Sequence, residues 1–192
     1  MIKEFFKYAL PSALAMFVSS LYTIIDGIFV GQGVGDSALA AVNIVMPFTI
    51  MLFGIATMFA VGGGDLVSKS IGANNKEKAV KIFRQVFKFL LILSIVISLF
   101  AVIFSKYIVK ILGATDTLVP LASTYLRYYS LFCIPNLVGI ALNSFVRNDG
   151  RPKLAMVSTL SGAITNIILD YVFIFPLGFG IKGAAIATGL GQ

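Results

Sequence analysis

The chain has 192 residues, 58% of them hydrophobic and 12% charged, with a formal net charge of +7. Soluble domains carry roughly 25% charged residues, so this composition excludes an ordinary water-soluble fold. One cysteine, Cys133, excludes an intrachain disulfide, and the lack of histidine excludes a histidine relay or a His-rich metal site.

Apolar runs of bilayer length decide the class. Residues 37–64 form a run of 28 without Asp, Glu, Lys or Arg, 128–146 one of 19, 89–105 one of 17, and 154–169 one of 16. The runs are continuous rather than alternating, so they predict helices and not barrel strands. The first predicted helix covers 8–30, with Pro11 in its first turn. It is preceded by Lys3, Glu4 and Lys7 but is too long, and lacks the small-residue cleavage site, for a signal peptide. The first helix is therefore expected to stay in the mature protein. Glycines at 31–35 end it. The second helix covers 37–64, with Pro47 inside and Gly62-Gly63-Gly64 expected to close it. A basic stretch over 65–88 holds Lys69, Lys76, Lys78, Lys81, Arg84 and Lys88, broken at Asn74-Asn75. From Lys76 it reads as amphipathic and leads into a third helix over 83–111. After a turn at 113–117, a fourth helix covers 118–146, with Pro135 near its middle. Asn148 to Pro152 is a turn signal. The fifth helix covers 154–175, and a sixth, 181–192, falls short of the roughly 20 residues a span needs.

The expectation is an all-α polytopic membrane protein of about six transmembrane helices. These form one N-terminal bundle over 1–192, the last helix truncated and a second bundle absent from the chain. With the N-terminus in the cytoplasm, 11 of the 15 basic residues fall on inner segments, leaving Lys106, Lys110, Arg127 and Lys182 outside. This is the positive-inside pattern. It accounts for the net charge without a nucleic-acid partner. Phe5, Phe6, Tyr8, Tyr107, Tyr128 and Tyr129 are placed in interface belts.

Two carboxylates lie inside predicted spans, Asp26 and Asp170, and an intramembrane ionisable group is a candidate functional site. Both lie several residues beyond the middle of an outward-running helix, so they share a depth. Each follows a polar residue by four, Tyr22 before Asp26 and Asn166 before Asp170, and residues four apart share a helix face. Thr165 lies close by. Desolvation and a second nearby carboxylate both penalise the charged form, which suits a reversible proton carrier. The same oxygens suit a hard cation, with Na⁺ a candidate at Asp26, Asp170 and Asn166. No phosphate-binding glycine loop of the P-loop kind occurs, so the energy source is expected to be an ion gradient or a separate subunit.

Three stretches carry a family resemblance: LYTIIDGIFVG at 21–31 continuing to LAAVN at 39–43, RNDGRPK at 147–153, and NIILDYVFIF at 166–175 followed by GIKGAAIAT at 180–188. Together they resemble the N-terminal half of multidrug and toxic compound extrusion (MATE) transporters, in the bacterial subgroup with an Asp in its first helix. The resemblance implies a twelve-helix fold of two six-helix bundles that exports organic cations and drugs in exchange for H⁺ or Na⁺. It places the coupling site at Asp26, Tyr22, Asn166, Asp170 and a sixth-helix Thr188. It also implies cavity-lining roles for Tyr125 and Asn143 of the fourth helix, which on a continuous helix lie near opposite ends.

The functional expectation is an ion-coupled antiporter in the inner membrane, with no cofactor beyond the coupling ion. Its partners are membrane lipids, small organic cations and the C-terminal half of the same transporter, or otherwise a second copy. The alternatives are a lipid or lipid-linked oligosaccharide flippase of related fold, a channel, and a structural membrane protein without transport. Nothing resembles an enzyme's nucleophile–base set.

Overall fold

The computed structural model describes residues 2–191, with side chains from residue 9 onward and at Phe6. Lys3, Glu4, Phe5, Lys7 and Tyr8, whose side chains the sequence places at the inner interface, lie outside this described set. Seven helices follow one another: α1 Ile2–Gly33, α2 Asp36–Gly72, α3 Lys76–Ile111, α4 Val119–Ser130, α5 Cys133–Asn148, α6 Pro152–Ile174 and α7 Gly180–Leu190. Four of them, counting α1 from Ala9, are long and apolar enough to cross a membrane. The pair α4 and α5, bent by 55°, supplies a fifth candidate span.

Small residues make up much of the interior, around the fully buried side chains of Leu52, Leu90, Leu126 and Leu137. The buried stripe of α2 runs Ala38, Ala41, Val45, Phe48, Leu52, Ala56, Ala60 and Gly63, the three-and-four spacing of one helix face. It packs against α3, α4 and α5. Many other large apolar side chains point outward: Met16 is 74% exposed, Ile103 67% and Ile111 85%. In lipid, burying Leu or Ile brings little net gain, whereas small residues let backbones approach and pack. On the other flank α1 packs chiefly along α6, and α7 lies against both α6 and α4.

The structure revises the expected bounds in four places. First, α1 begins at Ile2, so Pro11 lies inside the helix rather than in its first turn. This costs one backbone hydrogen bond. Second, Gly62-Gly63-Gly64 does not close the second helix. All three have ordinary negative φ, and α2 continues to Gly72. Their missing Cβ atoms give room to neighbours instead: a Cβ on Gly63 would meet Val86 at 2.7 Å and Phe145 at 3.3 Å, and one on Gly64 would collide with Asn148. Third, α3 begins at Lys76, capped by the Asn75 side chain, which accepts from the Lys78 amide at 3.0 Å. The amphipathic lead-in and the third span are one helix, bent at Phe104.

Fourth, the fourth span is broken at Leu131-Phe132. Pro135 explains the position. It has no N–H to donate to the carbonyl four residues back, Leu131, and its ring clashes there. The Ser98 hydroxyl of α3 donates to the Ser130 carbonyl at 2.6 Å, supplying the broken turn from outside. Tyr129 consequently sits in mid-span, 4% exposed, and not in an interface belt. Tyr128, the next residue on α4, shares that depth, its ring centroid 5.8 Å from the Lys182 ammonium; Tyr107, by contrast, is 70% exposed near the end of α3. The turns predicted near Asn74 and Gly150 are present, with φ of 57° and 82°.

Candidate functional site

Polar residues of four helices meet at one level. Asp26 lies seven residues before the end of α1 at Gly33, and Asp170 four before the end of α6 at Ile174. Tyr125 lies six residues after the start of α4 at Val119, and Thr188 eight after the start of α7 at Gly180. Short turns bring these ends together: Gly33 abuts Ile174 and Phe175, and Gly180 packs on Val34. At 1.5 Å per residue, the four groups therefore lie roughly 6–12 Å in from the same end of the bundle.

The Asp26 and Asp170 carboxyls lie side by side, and Asn166, one turn before Asp170, is next to it. The Tyr125 hydroxyl sits beside Thr188 and faces both carboxylates. Thr188 donates its own hydroxyl hydrogen to the Ala184 carbonyl at 2.9 Å, so its oxygen is available as an acceptor. Asp170 is fully buried and Asn166 is 2% exposed. Among the described residues, no partner in hydrogen-bond geometry satisfies Asp26 Oδ1, either Asp170 oxygen, or the Asn166 amide. Two neighbouring carboxylates accept only; neither can satisfy the other unless one carries a proton. This donor set of hard oxygens fits a shared proton or a small hard cation.

A further polar group lies one turn deeper on α4. Tyr129 stacks on Tyr125 with ring centroids 6.1 Å apart and planes 11° apart. It neighbours Tyr22, which is half-buried on α1. Across the break, the Asn136 amide donates to the Tyr129 hydroxyl at 2.8 Å. Asn136 was not among the residues singled out from sequence. The four-residue spacing from Tyr125 to Tyr129 was the available signal.

Two of the expected residues stand apart. Asn143 lies toward the opposite end of α5, donating to the Ala155 carbonyl at 3.0 Å and to Thr159 at 3.3 Å and accepting from Arg147 at 3.2 Å. Thr165 is exposed on α6 while its neighbour Asn166 is buried. Thr57, absent from the expected set, has a buried hydroxyl without a partner among the described residues.

Against known proteins, residues 11–172 match the MatE family model. The multidrug export protein MepA of Staphylococcus saprophyticus is 28% identical over 189 residues, 98% of this chain and 42% of the relative. An outward-facing multidrug resistance MATE family transporter of the MOP superfamily superposes with a TM-score of 0.90 at 31% identity, over 98% of this chain and 42% of that one. A MOP superfamily transporter from Pyrococcus furiosus, whose reversed binding-pocket polarity is reported to suggest a different function, gives the same TM-score of 0.90, identity of 31% and coverage of 98% and 42%. The chain thus spans about two-fifths of the length of the curated relatives it matches. It is a multi-pass protein of the cytoplasmic membrane, and with a family match running through most of its length and a shared backbone course, it belongs to the MatE family.

Proposed function

We propose that the protein is an H⁺- or Na⁺-coupled antiporter that exports organic cations and other drugs, with Asp26 and Asp170 as its coupling carboxylates. The observation that carries this is the pair itself: two carboxyls side by side within an apolar bundle, with Asp26 Oδ1 and both Asp170 oxygens buried and lacking a well-formed hydrogen bond among the described residues, though the Asn166 amide is adjacent. A packing role would leave them satisfied; a reversible ion site requires oxygens that can lose and regain a ligand. A proton would be shared between the two carboxyls. Na⁺ would be held by Asp26, Asp170 and the Asn166 amide oxygen, with Tyr22, Tyr125 and Thr188 around it. Loading would favour one opening of the transport cavity over the other, by linkage. The MepA relatives, named multidrug export proteins, support this reading.

In the same proposal the N-terminus is cytoplasmic and the chain forms the N-terminal six-helix bundle, α4 and α5 counting as one span and α7 as the beginning of the sixth. A second bundle completes the cavity. The acidic site favours cationic cargo over the phosphate head group of a flippase substrate. A non-transporting structural protein would tolerate amides at both positions. The test is efflux of a fluorescent organic cation from vesicles under an imposed H⁺ or Na⁺ gradient, using the full-length protein. Asp170→Asn abolishes gradient-driven efflux and Asp26→Asn severely impairs it, while expression and folding persist because the amide is nearly isosteric. Wild-type efflux in Asp170→Asn would end the coupling assignment for that residue.

A further inference from the structure

We infer that Tyr129 is a positioning residue that ties the bend of the fourth span to the state of the Asp26–Asp170 site; this rests on the coupling role proposed above. Four observations converge on it. Tyr129 is buried in mid-span, two residues before the break at Leu131-Phe132. The Asn136 amide of α5 donates to its hydroxyl at 2.8 Å, so one hydrogen bond bridges two helices that meet at 55°. On the side of the carboxylates, Tyr129 stacks on Tyr125, which sits beside Thr188 and faces Asp26 and Asp170. It also neighbours Tyr22, one turn before Asp26 on α1.

The break gives this bond its leverage. Within an unbroken helix, residues seven apart are held by the backbone ladder, and a side-chain bond between them would decide little. Here Pro135 removes the ladder between Leu131 and its partner four residues on. The bond from Asn136 to Tyr129 is then a side-chain tie between the two halves, while Ser98 of α3 holds the Ser130 carbonyl at the end of the first half. Any shift of the Tyr125 ring as the carboxylates gain or lose an ion is passed to Tyr129 by ring contact. From Tyr129 it reaches α5 through the amide of Asn136.

A bond with only a structural role makes a different prediction, and the two separate cleanly. Tyr129→Phe keeps the ring stack but leaves the Asn136 amide buried without its acceptor. The double variant Tyr129→Phe/Asn136→Leu removes both polar groups, and deleting a buried pair together is close to neutral for stability. In the full-length protein, spin labels at Thr117 and Leu142, both exposed, report the distance across the bend with and without the coupling ion. The expected result is that ion-dependent thermal stabilisation is kept in the double variant. The ion-dependent distance change is lost, and gradient-driven efflux falls about tenfold, the scale of one buried hydrogen bond. If the double variant restores both stability and gradient-driven efflux, the bond is structural and the inference is wrong. If single and double variants both retain the distance change, it is also wrong. Asp170→Asn serves as the separate control. Undiminished efflux in that variant would remove the coupling site itself, whereas loss there with wild-type behaviour in the Tyr129 variants would remove only the role given to Tyr129.

Discussion

Three consecutive glycines on α2 should respond to alanine in three different ways. Because all three lie inside the helix with negative φ, each Gly→Ala change gains about 0.8–1.0 kcal/mol of helix propensity. What differs is the surroundings. A Cβ on Gly62 meets nothing within 4 Å, so Gly62→Ala should stabilise by nearly the whole of that gain. A Cβ on Gly63 would lie 2.7 Å from a Val86 methyl and 3.5 Å from the Val86 Cβ, with the Phe145 ring at 3.3 Å. Valine is stiff at χ1 and cannot swing aside cheaply, so the helices must separate slightly. Overpacking of this kind costs about 1–3 kcal/mol, which places Gly63→Ala between neutral and about 2 kcal/mol less stable than the parent. A Cβ on Gly64 collides with the end of the Asn148 side chain, which is exposed and can rotate away, so this variant falls between the other two. Reversible unfolding in mixed detergent micelles with increasing sodium dodecyl sulfate measures the series. Equal stability of Gly62→Ala and Gly63→Ala would refute the close approach of α2 to α3. A loss at Gly62 would instead favour the glycine run as a helix end.

Ser98→Ala removes the hydroxyl that donates to the Ser130 carbonyl and leaves that buried acceptor without it, so a loss of about 1–3 kcal/mol is expected in the same unfolding assay. Tyr125→Phe keeps the stack on Tyr129 but deletes the hydroxyl facing Thr188 and the carboxylates. It should weaken the ion dependence of efflux more than protein yield, and equal ion dependence would count against its place in the site. A cysteine at Asn75, in a background with Cys133 replaced, should react with membrane-impermeant reagent only from the cytoplasmic side; labelling from outside alone would invert the proposed orientation. Lys69→Ala breaks an exposed pair with Asp65 at 2.7 Å and should shift stability by under about 1 kcal/mol.

The spans and the carboxylate pair were legible in the sequence because each rests on a local regularity. Charge-free runs such as 37–64 mark membrane helices without any knowledge of their neighbours. The four-residue spacings of Tyr22 to Asp26 and Asn166 to Asp170 define two helix faces, and equal depth suggests that the faces meet. The structure puts the two carboxyls side by side. Tyr125 was legible through resemblance and could have been read from depth as well, since it lies about as far from its helix end as Asp26 does. The break at Leu131 was hidden because the run over 128–146 is free of charge throughout and reads as one span. Pro135 was visible, but whether a proline bends or breaks a helix depends on who supplies the freed carbonyls, and Ser98 is 32 residues distant from Ser130. The glycines at 62–64 misled for a similar reason. Locally they read as a terminator; only the arrival of Val86, Phe145 and Asn148 against that face makes them a contact surface.

The length of α3 limits how this bundle can move. Its 36 residues make a rod of about 54 Å, against a hydrocarbon layer of about 30 Å. Between Lys88 and Lys106, both exposed, lie the 17 uncharged residues of 89–105, about 26 Å of helix. Each lysine reaches the head groups only by extending its stem away from the run, one toward either leaflet. Sliding α3 along the membrane normal by a single turn would pull one of these ammonium groups toward the oil while releasing the other. The two lysines therefore oppose a slide of α3 along the membrane normal from both ends. Pivoting meets less resistance: a tilt about this section, or flexing at Phe104 near one anchor. Ser98 lies within the section, so α3 offers the fourth span a post that resists axial slip.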